Sequence, residues 1–328
     1  MINLSGKNYI LDLVREFPKM LMEKRLVVFI VDGLGLSYLK LPFLKKSIYR
    51  TVFPSSTPTF FYSFHSLLEP KEHGFLEWFM HFENLKKPVA IPPWTTFDGK
   101  SLKLKKKEVF PFKSFSEILY EKGFSCFYYT PFANSIFSRS VSKKAKVKEI
   151  KYLSQVFPLA QEDFVLIYWP SPDEILHQEF QNETFEIDTK FLEFFIKILY
   201  EKLPKKTKLI VFSDHGQTKI VKRYKLPPIG GYPVGGSRVA FYQSEKEVVK
   251  KELKKKKIPA LVYKLEELEF FRGKINERCQ ENFGDIIVIA QENIGFNYPF
   301  EKHPSKLIGG HGGLSKEEIL VNVWFGGK

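Results

Sequence analysis

Apolar positions along the chain follow two alternating patterns. Short, nearly unbroken apolar runs occur at Leu26–Val31, Phe164–Trp169, Leu209–Phe212 and Ile319–Phe325, each bounded by polar residues or by glycine and proline. Runs of this length and context read as strands of a parallel sheet, buried on both faces. Between them, segments such as Ser114–Lys122 and Thr184–Glu201 repeat apolar residues at helical spacing, which predicts amphipathic helices. The alternation implies an α/β fold: a doubly wound, mostly parallel sheet flanked by helices. Open sheets of this kind place their sites beyond the carboxyl ends of the strands. Asp32, Asp173 and Asp214 each follow one of the runs, so residues far apart in sequence are expected to converge.

From about Arg238 the pattern changes. RVAFYQ reads as a strand, SEKEVVKKELKKKK as a charged helix, and PALVYKL and DIIVIAQ as two more strands, preceded by the Gly/Pro-rich boundary PPIGGYPVGG. The expected division is a core of residues 1–237 and 296–328 with an inserted α+β cap of residues 238–295. The cap is expected to select substrates without taking part in chemistry, its lysines at Lys250–Lys257 drawing in anions.

Composition narrows the class. No apolar run approaches the roughly 20 residues that span a bilayer. The first 25 residues read as an amphipathic helix rather than a signal peptide. Cys126 and Cys279 lie far apart and in no metal-binding spacing, so the expected compartment is the cytoplasm. The formal charge of +14 is mostly lysine, in runs such as Lys143–Lys148 and Lys250–Lys257, with only eight arginines. Arginine is the residue that reads bases and phosphates bidentately, so sequence-specific nucleic-acid binding is not expected. The runs serve either as solvated helix faces or as a field that attracts small anionic substrates.

The candidate chemistry lies in five stretches: Asp32 in VVFIVDGLG, Thr57 in VFPSSTPTF, Asp173 and His177 in SPDEILHQ, Asp214 and His215 in FSDHG, and His311 in GGHGG. Together they offer three carboxylates, three imidazoles and a hydroxyl, about the inventory that two cations sharing one nucleophile require. Asp173 and His177 are spaced i, i+4, which puts them on one face of a helical turn. Thr57 before Pro58 reads as a helix N-cap, where the partial positive charge favours a phosphoryl group. Ser55 and Ser56 are rival nucleophiles. His65, His81 and His303 read as core or loop residues, and His73 as a support for the turn after the nucleophile helix.

These motifs, in this order, resemble the alkaline phosphatase superfamily and within it the type I phosphodiesterase/nucleotide pyrophosphatase branch. VVFIVDGLG, VFPSSTPTFFYSF followed by EPKEHG, the Asp173/His177 pair, FSDHG, and GDIIVIAQ followed by GGHGGLSKEE carry the resemblance across almost the whole chain. It implies a phosphoric-ester hydrolase cleaving phosphodiester or nucleotide pyrophosphate bonds through a covalent intermediate on Thr57. It also implies two divalent ions, with zinc favoured and manganese compatible with the donor set. Asp173, His177 and His311 would hold one ion; Asp32, Asp214 and His215 would hold the other, with Thr57 bound to it. The chain departs from the family at Pro58, which has no N–H to offer a phosphoryl oxygen, and it has no evident counterpart of the family's asparagine near the nucleophile helix, Thr59 being the nearest candidate. Rival readings are a phosphomonoesterase or phosphonate hydrolase on the same core, or a catalytically weak anion-binding module.

Overall fold

The computed structural model describes residues 8–36, 39–82, 85 and 88–328. Its central element is an eight-stranded sheet in the order Asn8–Tyr9, Lys45–Arg50, Leu320–Gly327, Thr207–Phe212, Arg25–Val31, Phe164–Trp169, Cys126–Thr130 and Ala145–Glu149. Every neighbouring pair is parallel except those made by Leu320–Gly327, which runs antiparallel to both neighbours. The expectation of a parallel strand here is corrected. The chain reaches this strand directly from the turn that carries His311, at the site end of the sheet, and can only run back.

Side chains of Arg25–Val31 alternate between two cores. Val27, Phe29 and Val31 pack with Leu192, Phe195 and Ile196 of the helix Glu183–Lys202. Leu26, Val28 and Ile30 pack with Val14 and Phe17 of the helix Ile10–Leu21 and with Phe60 and Phe64 of the helix Thr57–Ser66. This two-sided burial is why the strand reads as unbroken Leu/Val/Ile/Phe. The lysine-rich segment Lys143–Lys148 is not a helix face. It enters the edge strand Ala145–Glu149, with Lys146 and Lys148 turned to solvent, a charge pattern that discourages pairing with another sheet.

A second, antiparallel sheet of seven strands runs Ala260–Lys264, Ile286–Ala290, Val239–Tyr242, Val234–Gly235, Phe79–Met80, Val89–Ala90 and Thr95–Thr96. Segment 238–295 supplies three of these strands and the helix Lys246–Lys255; the other four strands come from outside it. Phe241, Phe283 and Ile287 share one apolar core with Tyr62 of the helix Thr57–Ser66 and with Phe53 and Phe75 on either side of it. Arg238 and Glu318 add a buried ion pair at 3.2 Å.

Candidate active site

The strand ends bring the expected residues together. Asp32 follows Arg25–Val31, Asp214 and His215 follow Thr207–Phe212, and Asp173 and His177 sit on the short helix Ser171–Gln178 that follows Phe164–Trp169. His311 arrives on the turn before the antiparallel strand, its ring stacked on His215 at 4.0 Å between centroids and 5.1 Å from His177. Donor atoms of Asp173, His177 and His311 lie within 4.8 Å of one another, as do those of Asp32, Asp173 and His215. Asp173 therefore reaches both groups.

Main-chain contacts aim the imidazoles. Nδ1 of His177 donates to the Gly309 carbonyl at 3.1 Å, and Nδ1 of His215 to the Gly216 carbonyl at 3.1 Å, which leaves Nε2 of each ring facing the carboxylates. Asp173 Oδ2 lies 3.3 Å from His177 Nε2, while Asp32 Oδ1 and Asp214 Oδ2 lie 3.4 and 3.5 Å from His215 Nε2. The Gly33 N–H donates to Asp214 Oδ1 at 3.2 Å. Gly216 permits a close crossing: a Cβ there would stand 2.0 Å from the Glu317 carbonyl oxygen.

Asp32, Asp214 and His215 are fully buried. Burial, then the neighbouring Asp214 and Asp173, holds the Asp32 carboxyl well above its ordinary range. Burial also raises Asp214, with His215 pulling it back. Burial pushes His311 well below the usual histidine range, aided by His215. Asp173 differs: burial opposes its ionisation but is outweighed by His177, His311 and His215, so its carboxyl is held low. Oδ2 of Asp214 is buried without a hydrogen-bond partner. A closely packed set of carboxyl oxygens and imidazole nitrogens, one of the oxygens orphaned, is what divalent cations satisfy, so the donor set fits metal binding.

Thr57 Oγ1 lies 2.9 Å from His215 Nε2 and 3.4 Å from both Asp32 oxygens. The rival hydroxyls are engaged elsewhere: Ser55 Oγ donates to the Gly313 carbonyl at 2.8 Å, and Ser56 Oγ pairs with Thr59 Oγ1 at 2.9 Å. Two expectations are corrected. The helix Thr57–Ser66 takes Ser56, with φ −138° and ψ 152°, as its N-cap, which makes Thr57 the first helical residue and Pro58 the second. Proline costs no hydrogen bond there, because first-turn N–H groups have no intrahelical acceptor. Thr59 does not line the cleft above Thr57; its buried hydroxyl accepts the Glu77 N–H at 3.0 Å. His73 bonds Ser63 Oγ at 3.0 Å and accepts the Phe75 N–H at 3.0 Å, tying the helix to the turn after it.

Sequence reasoning missed two contacts. The Tyr168 hydroxyl donates to Asp32 Oδ2, and the Gln217 amide donates to Asp173 Oδ1. Tyr168 was concealed as one more large residue in an apolar run, and Gln217 as an ordinary polar loop residue.

Above Thr57 opens a cleft of about 800 Å³. Its walls are rich in aromatic residues, with Phe61, Trp78, Tyr128, Phe132, Phe137 and Tyr168 among them. Among the described residues Arg223 is the one lysine or arginine in the lining, and its guanidinium is bonded to Ser237 and to the Leu307 and Phe296 carbonyls. No residue of 238–295 lines the cleft; Lys250, Lys254 and Lys257 border a separate groove against the strand Ala260–Lys264.

No match is found among curated proteins. Among solved structures, the chain is similar to murine ectonucleotide pyrophosphatase/phosphodiesterase 5, with a TM-score of 0.69 and 19% identity over 92% of this chain and 88% of that one. An inactive Thr-to-Ala form of the murine protein, in complex with AMP, matches equally well, again with a TM-score of 0.69. The similarity to phosphonoacetate hydrolase from Sinorhizobium meliloti 1021, in complex with phosphonoacetate, has a TM-score of 0.61 at 13% identity, covering 92% of this chain and 90% of that one. At these identities the neighbours show a shared alkaline phosphatase-like fold. A family model for type I phosphodiesterase/nucleotide pyrophosphatase matches residues 26–314, nearly the whole chain. The chain belongs to the type I phosphodiesterase/nucleotide pyrophosphatase family.

Proposed function

We propose that the chain is a two-metal phosphodiesterase that acts through a covalent threonine intermediate, on diesters bearing an apolar or aromatic substituent. The observation that carries the reading is Thr57 Oγ1 at the start of a helix, within 3.4 Å of both Asp32 oxygens and 2.9 Å from His215 Nε2. Asp173, His177 and His311 would hold one ion, and Asp32, Asp214 and His215 the other, zinc or manganese suiting the mixed donors. When bound, the ions supply Lewis-acid stabilisation of the charge that develops on the attacking and leaving oxygens.

The chain's own residues do the rest. Asp32 and His215 hold the Thr57 hydroxyl at the floor of the cleft, and the N-terminus of its helix offers a partial positive charge to the phosphoryl group. Thr57 Oγ1 bonds to phosphorus as the bond to the leaving alcohol breaks, and the hydroxyl proton ends on that alcohol. Water then cleaves the bond between Thr57 and phosphorus, which releases the phosphomonoester and restores the hydroxyl. The aromatic walls bind the substituent and exclude water from the reacting centre.

The lining also ranks substrates. Nucleotide pyrophosphates, monoesters and phosphonates carry more charge than a diester. Beyond the ions they would meet one arginine, already engaged, together with Glu77, Glu174 and Glu301. Among the described residues no helix is long and apolar enough to cross a membrane. Cys126 and Cys279 are free and buried, which supports a cytoplasmic placement. Metal-reconstituted protein should be assayed against aryl phosphodiesters, aryl monoesters, nucleotide pyrophosphates and sulfate esters. kcat/KM should be highest for the diesters; highest turnover of a monoester would favour the phosphomonoesterase reading, and no turnover of any would favour an anion-binding module.

A further inference from the structure

We infer that Tyr168 is a positioning residue for Asp32: its phenol occupies one carboxylate oxygen and so leaves the other for the ion shared with His215. The inference rests on the two-ion reading above.

Parallel pairing sets Tyr168 opposite Ile30 and Trp169 opposite Val31, and the Asp32 N–H continues the ladder to the Trp169 carbonyl at 3.0 Å. The register thus delivers Tyr168 beside Asp32. Its hydroxyl donates to Oδ2 of Asp32. Oδ1 is the oxygen that approaches His215 Nε2, at 3.4 Å. The ring is fixed from the other side by Phe61, edge-on with centroids 4.9 Å apart at 86°. Phe61 lies one turn beyond Thr57 on the nucleophile helix, so a single side chain joins the metal ligand to the element that carries the nucleophile.

A carboxylate turns easily about its last torsion, which has broad, shallow wells. Asp32 also faces Asp214 and Asp173, which repel it. Without the phenol it could rotate, present both oxygens to one ion, or swing from the His215 side. Partners of this kind, bonded to a ligand rather than to the metal, fix the ligand's orientation, and their removal lowers ion affinity by about 10–100-fold. Tyr168→Phe is the informative change, because it keeps the ring that walls the cleft.

The test is a titration of ion-stripped protein with Zn²⁺ in competition with a chromophoric chelator, read without substrate. Tyr168→Phe should weaken one of two binding steps by about 10–100-fold and leave the other as in wild type. In an Asp32→Asn background the same change should add no further loss, because the phenol acts through that carboxylate. In the loaded enzyme kcat should fall while KM for an aryl diester holds, since the wall is intact. Should Tyr168→Phe fail to fold, Phe61→Ala serves instead: it leaves the hydroxyl but frees the ring, and should weaken the same step by a smaller factor. Wild-type affinity for both ions in the variant tested, or losses that add to those of Asp32→Asn, would overturn the assignment. A wild-type chain that takes up no ion overturns the two-ion reading itself, and this inference with it.

Discussion

Thr57 and its neighbours differ in what their hydroxyls already do, and that difference is measurable. Thr57→Ala should keep the fold and both ions yet lose on the order of a thousandfold or more in kcat, the scale of a lost nucleophile. Ser56→Ala, which removes hydroxyl contacts to Thr59 and Glu77 but none to the candidate ligands, should stay within a few-fold of wild type; kinetic assays of the two variants decide between them. Asp32 supports a prediction with an unusual sign. Its carboxyl is held above the ordinary range by burial and by Asp214 and Asp173, so the ion-free folded chain binds the proton more tightly than the unfolded chain does. Such a group's contribution to stability falls as pH rises from the ordinary aspartate value towards the raised one. In ion-stripped protein at neutral pH, Asp32→Asn should therefore raise the melting temperature; in loaded protein it should lower it, because a ligand is lost. A lower melting temperature in both states would mean that the ion-free carboxyl is not strained. The seven candidate residues that the fold brings together were visible in the sequence because they stand in short motifs, most of them after an apolar run and His311 in a glycine-rich turn. Tyr168 and Gln217 were not, because hydrogen bonds to Asp32 and Asp173 leave no trace in local pattern.

Elements set the approach distances. The loop after Thr207–Phe212 crosses the short helix Lys316–Ile319, just before the final strand, so closely that a Cβ on Gly216 would stand 2.0 Å from the Glu317 carbonyl oxygen, which cannot yield without moving the chain. Gly216→Ala should cost about 1–3 kcal/mol in stability, the range for forced overpacking. It should also weaken ion binding, because the Gly216 carbonyl aims His215; denaturant melts and a chelator titration check the two effects separately. Most of the strands and helices named from period and punctuation lie within a residue or two of their observed ends. The start of the nucleophile helix was placed one residue late, because Ser-Thr-Pro allows a cap at either hydroxyl residue and only the extended backbone of Ser56 decides. The direction of Leu320–Gly327 was misread because a strand buried on both faces looks alike whether parallel or antiparallel. The edge strand Ala145–Glu149 was hidden by its lysines.

Across the whole molecule, segment 238–295 is joined to the rest of the chain rather than standing apart from it. It shares a sheet and a core with residues around the nucleophile helix, and it contributes nothing to the lining. The lysines of its helix were expected to attract substrate, but sequence alone could not show which way that helix faces. Neutralising Lys254–Lys257 to glutamine should therefore leave KM unchanged at ordinary ionic strength, where exposed charges are screened over about 8–10 Å. A KM that rises for nucleotide substrates but not for a small aryl diester would restore the electrostatic role. The central claim, that Thr57 carries the phosphoryl group between two chemical steps, is tested most directly by rapid acid quench of the loaded enzyme turning over an aryl phosphodiester. Intact-mass and peptide mapping should find the substrate's phosphoryl moiety on Thr57, and no adduct in Thr57→Ala. An adduct on Ser55 or Ser56, or steady turnover by Thr57→Ala at the wild-type rate, would contradict it.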